Sequence, residues 1–307
     1  MIPVERFQAL RPYLFSIAYR MLGSASEAED VLQDAWLRAS RAPEALESDR
    51  AWLAAVVTRL CLDRLESARA TREQYVGPWL PEPMPTDVVP APERDAVRRE
   101  SITMAFLLLL ERLSPAERAA FLLREVFDYG YGEVGRILDT TDAAVRQMVH
   151  RARERLVQGR RRFDVDPELH RETVSRFLAA ARDGDLTELE AILVPEATYT
   201  ADGGGRVPAA RRIVEGARAV ALVFAGLFRT AEAQGGWRAE LGEVNGEPAL
   251  LAFHGGRLDT VFVFSVAAGR VESVHAVRNP DKLAWLRRYL RGGRGAAPGA
   301  GPSPIVH

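Results

Sequence analysis

The chain has 307 residues, of which 47% are hydrophobic and 27% charged, so it has the composition of a folded globular protein and is too long for one typical core. Its formal net charge is −1, so a nucleic-acid partner would require cations gathered locally. No strictly apolar run is longer than Met104 to Leu110, which is much too short to cross a bilayer, and the first residues lack a signal-peptide pattern. We therefore expect a cytoplasmic protein with no membrane partner. The single cysteine, Cys61, excludes an intramolecular disulfide and fits a reducing compartment.

The first quarter of the chain predicts helices throughout. Apolar residues recur at helical spacing across residues 4–75. Gly23 ends the first helix, and Ser24 with Glu27 has the spacing of a capping box that opens a second helix. A third helix is predicted from about residue 49 to residue 72.

A change of composition marks the end of this helical segment. Six prolines fall between Gly77 and Pro92, which excludes a helix interior and predicts a stiff, extended linker. From about residue 93 to residue 162 the pattern is helical again. Within this stretch a short helix at Tyr131 to Leu138, a tight turn, and a longer helix from about Asp142 form the layout of a helix-turn-helix.

The longer helix carries an unusual concentration of positive charge. Seven arginines and one acid, Glu154, occur between Arg146 and Arg162. Arginine can bridge the two major-groove acceptors of guanine, and glutamine can pair with adenine. The alternative is a solvated arginine face on an ordinary amphipathic helix. The candidate DNA-reading residues are Arg146, Gln147, His150, Arg151 and Arg153.

After Asp164 the pattern predicts a separate α+β domain. Two helices, at about 167–183 and 185–193, precede runs with the alternation and composition of strands. Asn245-Gly246 is a strong hairpin signal, and Pro280 is expected to open a short final helix. The predicted strands are Ala197–Ala201, Trp237–Val244, Pro248–Phe253, Leu258–Val266 and Arg270–Val277.

Two helical segments resemble sigma factors of the extracytoplasmic-function type. The stretch from Leu113 to Glu125 together with the helix pair resembles the fourth sigma region, which reads the −35 promoter element. The stretch from Ser26 to Leu37 resembles the second sigma region, whose acidic-polar face docks on core RNA polymerase. The resemblance implies that core polymerase and promoter DNA are partners.

The resemblance also assigns candidate residues in the first helical module. The implied polymerase-binding residues are Glu29, Asp30, Gln33 and Asp34, which without the resemblance would be plain solvated surface. The segment from Thr58 to Leu65 resembles the part that melts and holds the −10 element. The implied −10 residues are Arg59, Asp63, Arg64 and Arg69.

The remainder of the chain resembles a SnoaL-like domain of the NTF2-like class, a curved sheet wrapped by helices. Three motifs resemble a group of sigma factors in which this domain is fused and acts in cis, so that a separate anti-sigma factor would not be needed. The fold also leaves room for a small ligand in its pocket. The motifs are Trp79-Leu80-Pro81-Glu82-Pro83, Asp202-Gly203-Gly204-Gly205-Arg206 and Asn279-Pro280-Asp281-Lys282-Leu283.

Two other functions stay open at this point. A ligand-sensing helix-turn-helix regulator would bind duplex promoter DNA without polymerase. Alternatively, the C-terminal domain could be an enzyme, since its fold class includes enzymes that use Asp, His and Tyr. The candidate catalytic residues for that reading are Tyr199, Asp202, His254, Asp259 and His275. The preferred interpretation is a non-enzymatic sigma factor with no catalytic residues, cofactor or metal.

The expected fold is therefore multidomain, with two all-α sigma domains followed by an α+β NTF2-like cone domain. The predicted boundaries are 1–76 for the first sigma domain, 77–93 for the linker, 94–163 for the helix-turn-helix domain, 167–290 for the regulatory domain and 291–307 for a disordered tail.

Overall fold

The computed structural model describes residues 2–41, 48–72, 75–86, 88, 102–159 and 167–291, with the side chains of 68–72 and 157–159 excepted. By its internal contacts the chain divides into two compact units. The first unit combines Met1–Gln74 with Asp87–Arg160, and the second combines Tyr75–Thr86 with Arg161–His307.

The first half of the first unit is a three-helix module. Its helices are α1 (Val4–Leu22), α2 (Ala25–Ala39) and α3 (Asp49–Arg72). Gly23 ends α1 in the left-handed conformation at φ 67°, and the Ser24 side chain caps α2 by accepting a 3.1 Å hydrogen bond from the Glu27 amide. The helices bury aliphatic and aromatic side chains of α1 almost completely.

The second half of the first unit contains the helix-turn-helix. Its elements are α4 (Met104–Leu110), α5 (Pro115–Phe121) continued by a π-helical turn (Leu122–Val126), α6 (Tyr131–Leu138) and α7 (Asp142–Gly159). Asp139 ends α6 at φ 53°, and the Thr140 amide donates a 2.9 Å hydrogen bond to the Gly135 carbonyl. A Cβ on Gly135 would lie 2.8 Å from the Thr140 carbonyl oxygen, so the tight turn requires glycine there.

The second unit is an α+β domain built on one sheet. Helices α8 (Pro167–Asp183), α9 (Leu186–Ile192), α10 (Ala217–Gln234) and α11 (Ala284–Arg291) accompany strands β1 (Leu193–Asp202), β2 (Val214–Glu215), β3 (Trp237–Val244), β4 (Glu247–His254), β5 (Arg257–Ala267) and β6 (Arg270–Val277). The strand order is β2-β1-β6-β5-β4-β3, in which β1 and β6 are parallel and the other pairs antiparallel.

One face of this sheet is filled by an aromatic core. Phe177 of α8 and Phe224 of α10 meet edge to face with ring centroids 4.8 Å apart, and Phe264 lies 5.6 Å from Phe177. Tyr199 and Phe262 complete the contacts with Phe224. Aromatic side chains therefore pack closely together on this face of the sheet.

The structure differs from the sequence predictions in helix α10, in the short strand β2, which was not predicted, and in the start of the final helix. Helix α10 was not predicted, because its apolar residues lie on both faces (Val220 is buried whereas Leu222 is 51% exposed), which obscures the helical period. The final helix begins at Ala284 rather than at Pro280. The reason is that the Asn279 side chain accepts a hydrogen bond from the Asp281 amide, which stabilises a turn there.

The grouping of residues also differs from the predicted domains. The two helical modules, expected as separate bodies, form one unit, and residues 75–86, which include residues 77–86 of the predicted linker, belong to the α+β unit. The rest of the linker apart from residue 88, and the tail from 292 onward, lie outside the described residues. The domain boundaries themselves stay predictions.

Candidate functional site

A buried carboxylate, Asp202, holds the segment 75–86 on the α+β domain. Asp202 ends β1 and is fully buried. Its Oδ1 accepts a 2.6 Å hydrogen bond from the Tyr75 hydroxyl, and its Oδ2 accepts a 2.9 Å hydrogen bond from the Leu80 amide. We call the residues 75–86 the clasp segment, because both ends of it are attached to this domain.

Lys282 completes the site as the cationic partner of Asp202. It is the chain's only lysine, it is 7% exposed, and its Nζ lies 2.6 Å from Asp202 Oδ2. The same ammonium donates to the Leu80 carbonyl and sits over the rings of Tyr75 and Trp79, 4.9 and 4.2 Å from their centroids. All three predicted motifs therefore converge on one buried ion pair.

Tyr75 connects the third motif to this ion pair. Its hydroxyl accepts a 2.9 Å hydrogen bond from Asn279 Nδ2 while it donates to Asp202. Burial, together with the Asp202 carboxylate, raises the pKa of Tyr75, so the hydroxyl keeps its proton and acts as a donor. Tyr75 was not predicted as a site residue, because it belongs to no sequence motif and only its contacts identify it.

The glycines of the second motif are required by close approach. A Cβ on Gly204 would lie 2.2 Å from Asn279 Nδ2 and 2.9 Å from the Tyr75 hydroxyl, and the φ of Gly204 is +57°. A Cβ on Gly203 would lie 2.4 Å from the Val207 carbonyl oxygen. Arg206, the last residue of the motif, instead lies at the surface, 3.3 Å from Asp281.

The far end of the clasp segment is attached to the β3–β4 hairpin. The Met84 amide donates to Asn245 Oδ1 at 3.1 Å, and the Asn245 amide donates to the Met84 carbonyl at 2.8 Å. The Gly246 amide donates to the Thr86 hydroxyl at 3.0 Å, and Pro85 forms a β-bridge with Val244. Asn245 was predicted as a turn residue, but its fully buried side chain also holds the clasp segment.

A half-open cavity adjoins the clasp. It has a volume of about 460 Å³ and is lined by Val76 and Gly77, by the glycine motif and by the residues that follow it up to Arg211. Side chains of Arg206 and Arg211 stand at this cavity, and no ligand is assigned to it.

The predicted DNA-reading residues of α7 are all exposed. Its inner face buries Val145, Val149 and Leu156, as the helical period predicted. Arg146 pairs with Asp142 at 2.7 Å and lies over the Tyr131 ring, while Arg153 pairs with Glu125 at 2.8 Å. These ion pairs are solvent-exposed and weak, so phosphates can replace the carboxylates.

Arg151 differs from its neighbours, because it is bound to a buried carboxylate. Glu117, which is 4% exposed, accepts hydrogen bonds from Arg151 Nε at 2.9 Å and Arg155 Nη1 at 2.5 Å. It also accepts from the Ser114 amide and hydroxyl. These contacts lower the pKa of Glu117 against the effect of its burial. Glu117 lies within the stretch that resembles the fourth sigma region, and only its contacts show that it attaches α7 to α5.

The residues predicted for the −10 element have mixed surroundings. Arg59 of α3 donates to the Ile137 and Arg136 carbonyls at the end of α6, at 3.0 and 3.1 Å. Arg64 donates to Asp34 at 2.9 Å and to the Glu27 carbonyl, so it bridges to the predicted polymerase-binding helix. Asp63 is exposed, and the side chain of Arg69 lies outside the described residues.

The residues predicted for polymerase binding lie beside an apolar groove. Asp30 and Gln33 are exposed, while Glu29 is half-buried and paired with Arg11. The groove has a volume of about 330 Å³, and Leu37 at its edge is 59% exposed. Its apolar lining, which was not predicted, consists of Phe7, Leu32, Trp36 and Leu37.

The two helical modules touch through polar contacts within the first unit. Tyr13 and Tyr129 share a 2.8 Å hydrogen bond, and Arg50 stacks over the Tyr13 ring at 4.2 Å. Arg118 Nη1 donates to the Met21 carbonyl at 2.7 Å. Together with Arg59, these contacts hold the helix-turn-helix module against the three-helix module.

The structure does not bring together the residues proposed as catalytic in the alternative in which the C-terminal domain is an enzyme. Tyr199 lies in the aromatic core and Asp202 binds the clasp segment, whereas Asp259 pairs with Arg278 at 3.1 Å. His254 stacks on Trp237 at the surface. Tyr199 is in register with Val274, so His275, one residue further on, points to the opposite face of the sheet.

Within the ranges that the structure describes, no cluster of three or more His, Cys, Asp or Glu side chains could hold a metal ion. No helix among those residues is long and apolar enough to span a membrane.

The helix-turn-helix has an exposed arginine face and packs on a second helical module. The segment that joins these two modules is held on an α+β domain. This arrangement defines a transcription initiation factor with a fused C-terminal domain. Residues 6–71 match the family described as Sigma-70 region 2, and residues 103–156 match Sigma-70, region 4.

The full-length similarity identifies the family. The ECF RNA polymerase sigma factor SigJ of Mycobacterium tuberculosis (strain ATCC 25618 / H37Rv) is 37% identical over 305 residues, which cover 95% of this chain and 98% of SigJ. Its crystal structure superposes with a TM-score of 0.72 at 35% identity, over 92% of this chain and 98% of that chain. The probable sigma factor SigI of the same species is 33% identical over 94% of this chain and 97% of its own length. The chain belongs to the extracytoplasmic-function sigma factors.

Family membership confirms the predicted fold class and the sigma-factor function. It implies core RNA polymerase and promoter DNA as partners. The individual DNA-binding and polymerase-binding residues stay predictions.

Proposed function

We propose that the C-terminal domain regulates this sigma factor in cis by holding the segment that connects its two promoter-reading modules. The observation that carries the proposal is the buried Asp202–Lys282 pair, which binds the clasp segment through Tyr75 and Leu80. A connecting segment that is held on another domain cannot adjust its length and path as the modules move apart. The domain would thus do in cis what a separate anti-sigma factor does in trans.

The energetics suit a regulated contact. A buried ion pair contributes little net free energy relative to an apolar pair, but it strongly penalises any state in which one partner is buried alone. The clasp segment is therefore either fully bound to the Asp202–Lys282 pair or released from it. Because the segment is covalently attached, its effective concentration near Asp202 is high, and modest interactions suffice to close it.

The closed first unit supports the same proposal. The −10 and −35 elements are about 25 base pairs apart, on the order of 80 Å along B-DNA. Arg59, the candidate −10 residue, hydrogen-bonds carbonyls of α6 in the candidate −35 reader. These hydrogen bonds cannot persist when the modules occupy the two elements together, so promoter binding requires the unit to open.

Within the opened factor we assign the surfaces as the resemblance implies. The exposed face of α7 that carries Arg146 and Gln147 reads the −35 element, and Arg59, released from α6, joins the −10 contacts. The acidic face of α2 with the adjoining apolar groove receives core polymerase, and we infer that the exposed Leu37 takes part. Protein interfaces typically have an apolar centre and a polar rim, and the apolar groove with its acidic border has this pattern.

We infer that the C-terminal domain acts by binding rather than by covalent chemistry. The candidate catalytic residues are dispersed over both faces of the sheet, and Phe224 and its aromatic neighbours fill one face. A small ligand, if one binds, would occupy the cavity beside the clasp.

The test is transcription with purified core polymerase and a promoter recognised by this factor. We expect Asp202→Asn to raise initiation several-fold, because Asn cannot pair with the Lys282 ammonium and the clasp segment is released. The matched control is Asp183→Asn, which removes an exposed carboxylate paired with Arg182 in the same domain. An activity of Asp202→Asn equal to that of the control would contradict cis regulation through the clasp. Specific promoter binding without core polymerase would instead favour a conventional helix-turn-helix regulator.

A further inference from the structure

The C-terminal helix α11 and the start of β5 form a cluster of arginines, which we call the arginine patch: Arg257, Arg287, Arg288 and Arg291. Arg257, Arg288 and Arg291 are exposed and have no ion pair within the part of the chain that the structure describes. Arg287 donates to the Leu258 and Pro280 carbonyls at 2.9 and 3.2 Å, which fixes the helix beside β5.

The charge of the patch is not compensated nearby. Residues 283–307 contain four arginines and no aspartate or glutamate. Asp259 faces Arg287, but its carboxylate is paired with Arg278 at 3.1 Å. Burial and the positive charges of Arg257 and Arg291 lower the pKa of Arg287, which agrees with a local excess of cations.

The helix presents these arginines in a fixed orientation. Leu286 is buried and attaches α11 to the domain, and the rings of Trp285 and Tyr289 stack with centroids 5.9 Å apart. Arg288 and Arg291 are one turn apart, so their guanidinium groups project from the same side of the helix. Such an arrangement is unfavourable for the free protein and becomes favourable when an anionic surface approaches.

We propose that the arginine patch binds the phosphate backbone of duplex DNA, as an accessory contact outside the sigma modules. Guanidinium groups bind phosphate oxygens in a bidentate geometry. A lipid surface fits less well, because none of the large hydrophobic residues exposed among the described residues belongs to α11. This contact goes beyond the proposed regulation, and it adds non-specific affinity for DNA rather than promoter specificity.

The test is salt-dependent binding of the full chain, without polymerase, to a labelled 30-base-pair duplex that lacks a promoter. The variant combines Arg257→Gln, Arg288→Gln and Arg291→Gln. The matched control combines Arg171→Gln, Arg182→Gln and Arg218→Gln, three exposed arginines of the same domain that are each paired with an acid. Both variants change the net charge from −1 to −4, because each loses three cations.

We expect the patch variant to reduce the slope of log affinity against log salt by about 2 to 3, and the affinity near 0.1 M salt by roughly 10-fold or more. The control variant should retain most of the wild-type slope. Equal slopes for the two variants would overturn the proposal, as would a loss of binding to phosphatidylglycerol vesicles with unchanged DNA binding. Circular dichroism spectra that match the wild type would show that the variants are folded. Because polymerase is absent, this result is independent of cis regulation.

Discussion

At the scale of single residues, the Asp202–Lys282 pair is where one substitution has the largest expected effect. Lys282→Met removes the ammonium and leaves a fully buried carboxylate, which costs about 3–5 kcal/mol when a buried pair loses one partner. The Leu80 amide, which donates to Asp202, should lose hydrogen-exchange protection by a similar free energy. Exchange followed by mass spectrometry over residues 75–86 measures this directly.

The control for this prediction is the double variant with Asp202→Asn and Lys282→Met. It removes both charges, so protection of Leu80 should recover part of the loss seen in the single variant. Protection that is identical in the wild type and in Lys282→Met would contradict the role given to this pair.

A second prediction at this scale concerns pH. Burial lowers the pKa of His275 to about 4 from an ordinary value of 6.5. The unfolded chain therefore binds the proton first as the pH falls, so stability is full above pH 6.5 and decreases by about 3 kcal/mol on the way down to pH 4. His275→Gln should flatten this part of the pH profile in urea unfolding. His170 has its pKa lowered by burial too, so some slope remains. A profile unchanged by the substitution would show that His275 is not the titrating group.

At the scale of elements, the reading helix α7 depends on Glu117 of α5. Glu117→Gln weakens the bonds that the Glu117 carboxylate accepts from Arg151 and Arg155, and those that it accepts from the Ser114 amide and hydroxyl in the helix cap, whose loss typically costs about 1 kcal/mol. We expect lower affinity of the polymerase holoenzyme for the −35 element, because α7 is held less firmly. Band-shift titrations with intact and −35-substituted promoters measure this effect.

The matched control is Glu125→Gln, which removes the carboxylate that pairs with Arg153. The Glu125 side chain is more exposed than that of Glu117. This substitution frees an arginine without disturbing the attachment of α7, so its affinity for the −35 element should be unchanged or higher. If the two variants behaved alike, Glu117 would have no special positioning role.

At the scale of the whole molecule, we expect the first unit to open when the factor binds promoter DNA. Cys61 is buried and burial raises its pKa, so cysteines introduced at Glu5 and Glu154 can be labelled selectively with fluorophores. Energy transfer between these labels should fall when core polymerase and promoter DNA are added, because the modules move onto separate elements. Energy transfer that stays at its free-chain value in a transcribing complex would rule out the opening.

The sequence by itself determined the local elements and the family. Helical period, the Ser24 cap, the Asn245-Gly246 turn and the arginines of α7 are read from neighbouring residues, and the structure has the elements that they predict. The motifs around Asp202 and Lys282 were predicted as regulatory contacts, and that role stays a prediction. These features are local because capping, turn geometry and amphipathic period depend on residues only a few positions apart.

Tertiary structure decided which of these residues meet. Tyr75 and Asn279 are 204 positions apart, and no spacing rule relates them or joins Met84 to Asn245. It also made one unit of the two helical modules and placed Arg59 against α6. The physical reason is that a buried carboxylate or amide must find its partners wherever the fold brings them, and their identity appears only when the chain is packed.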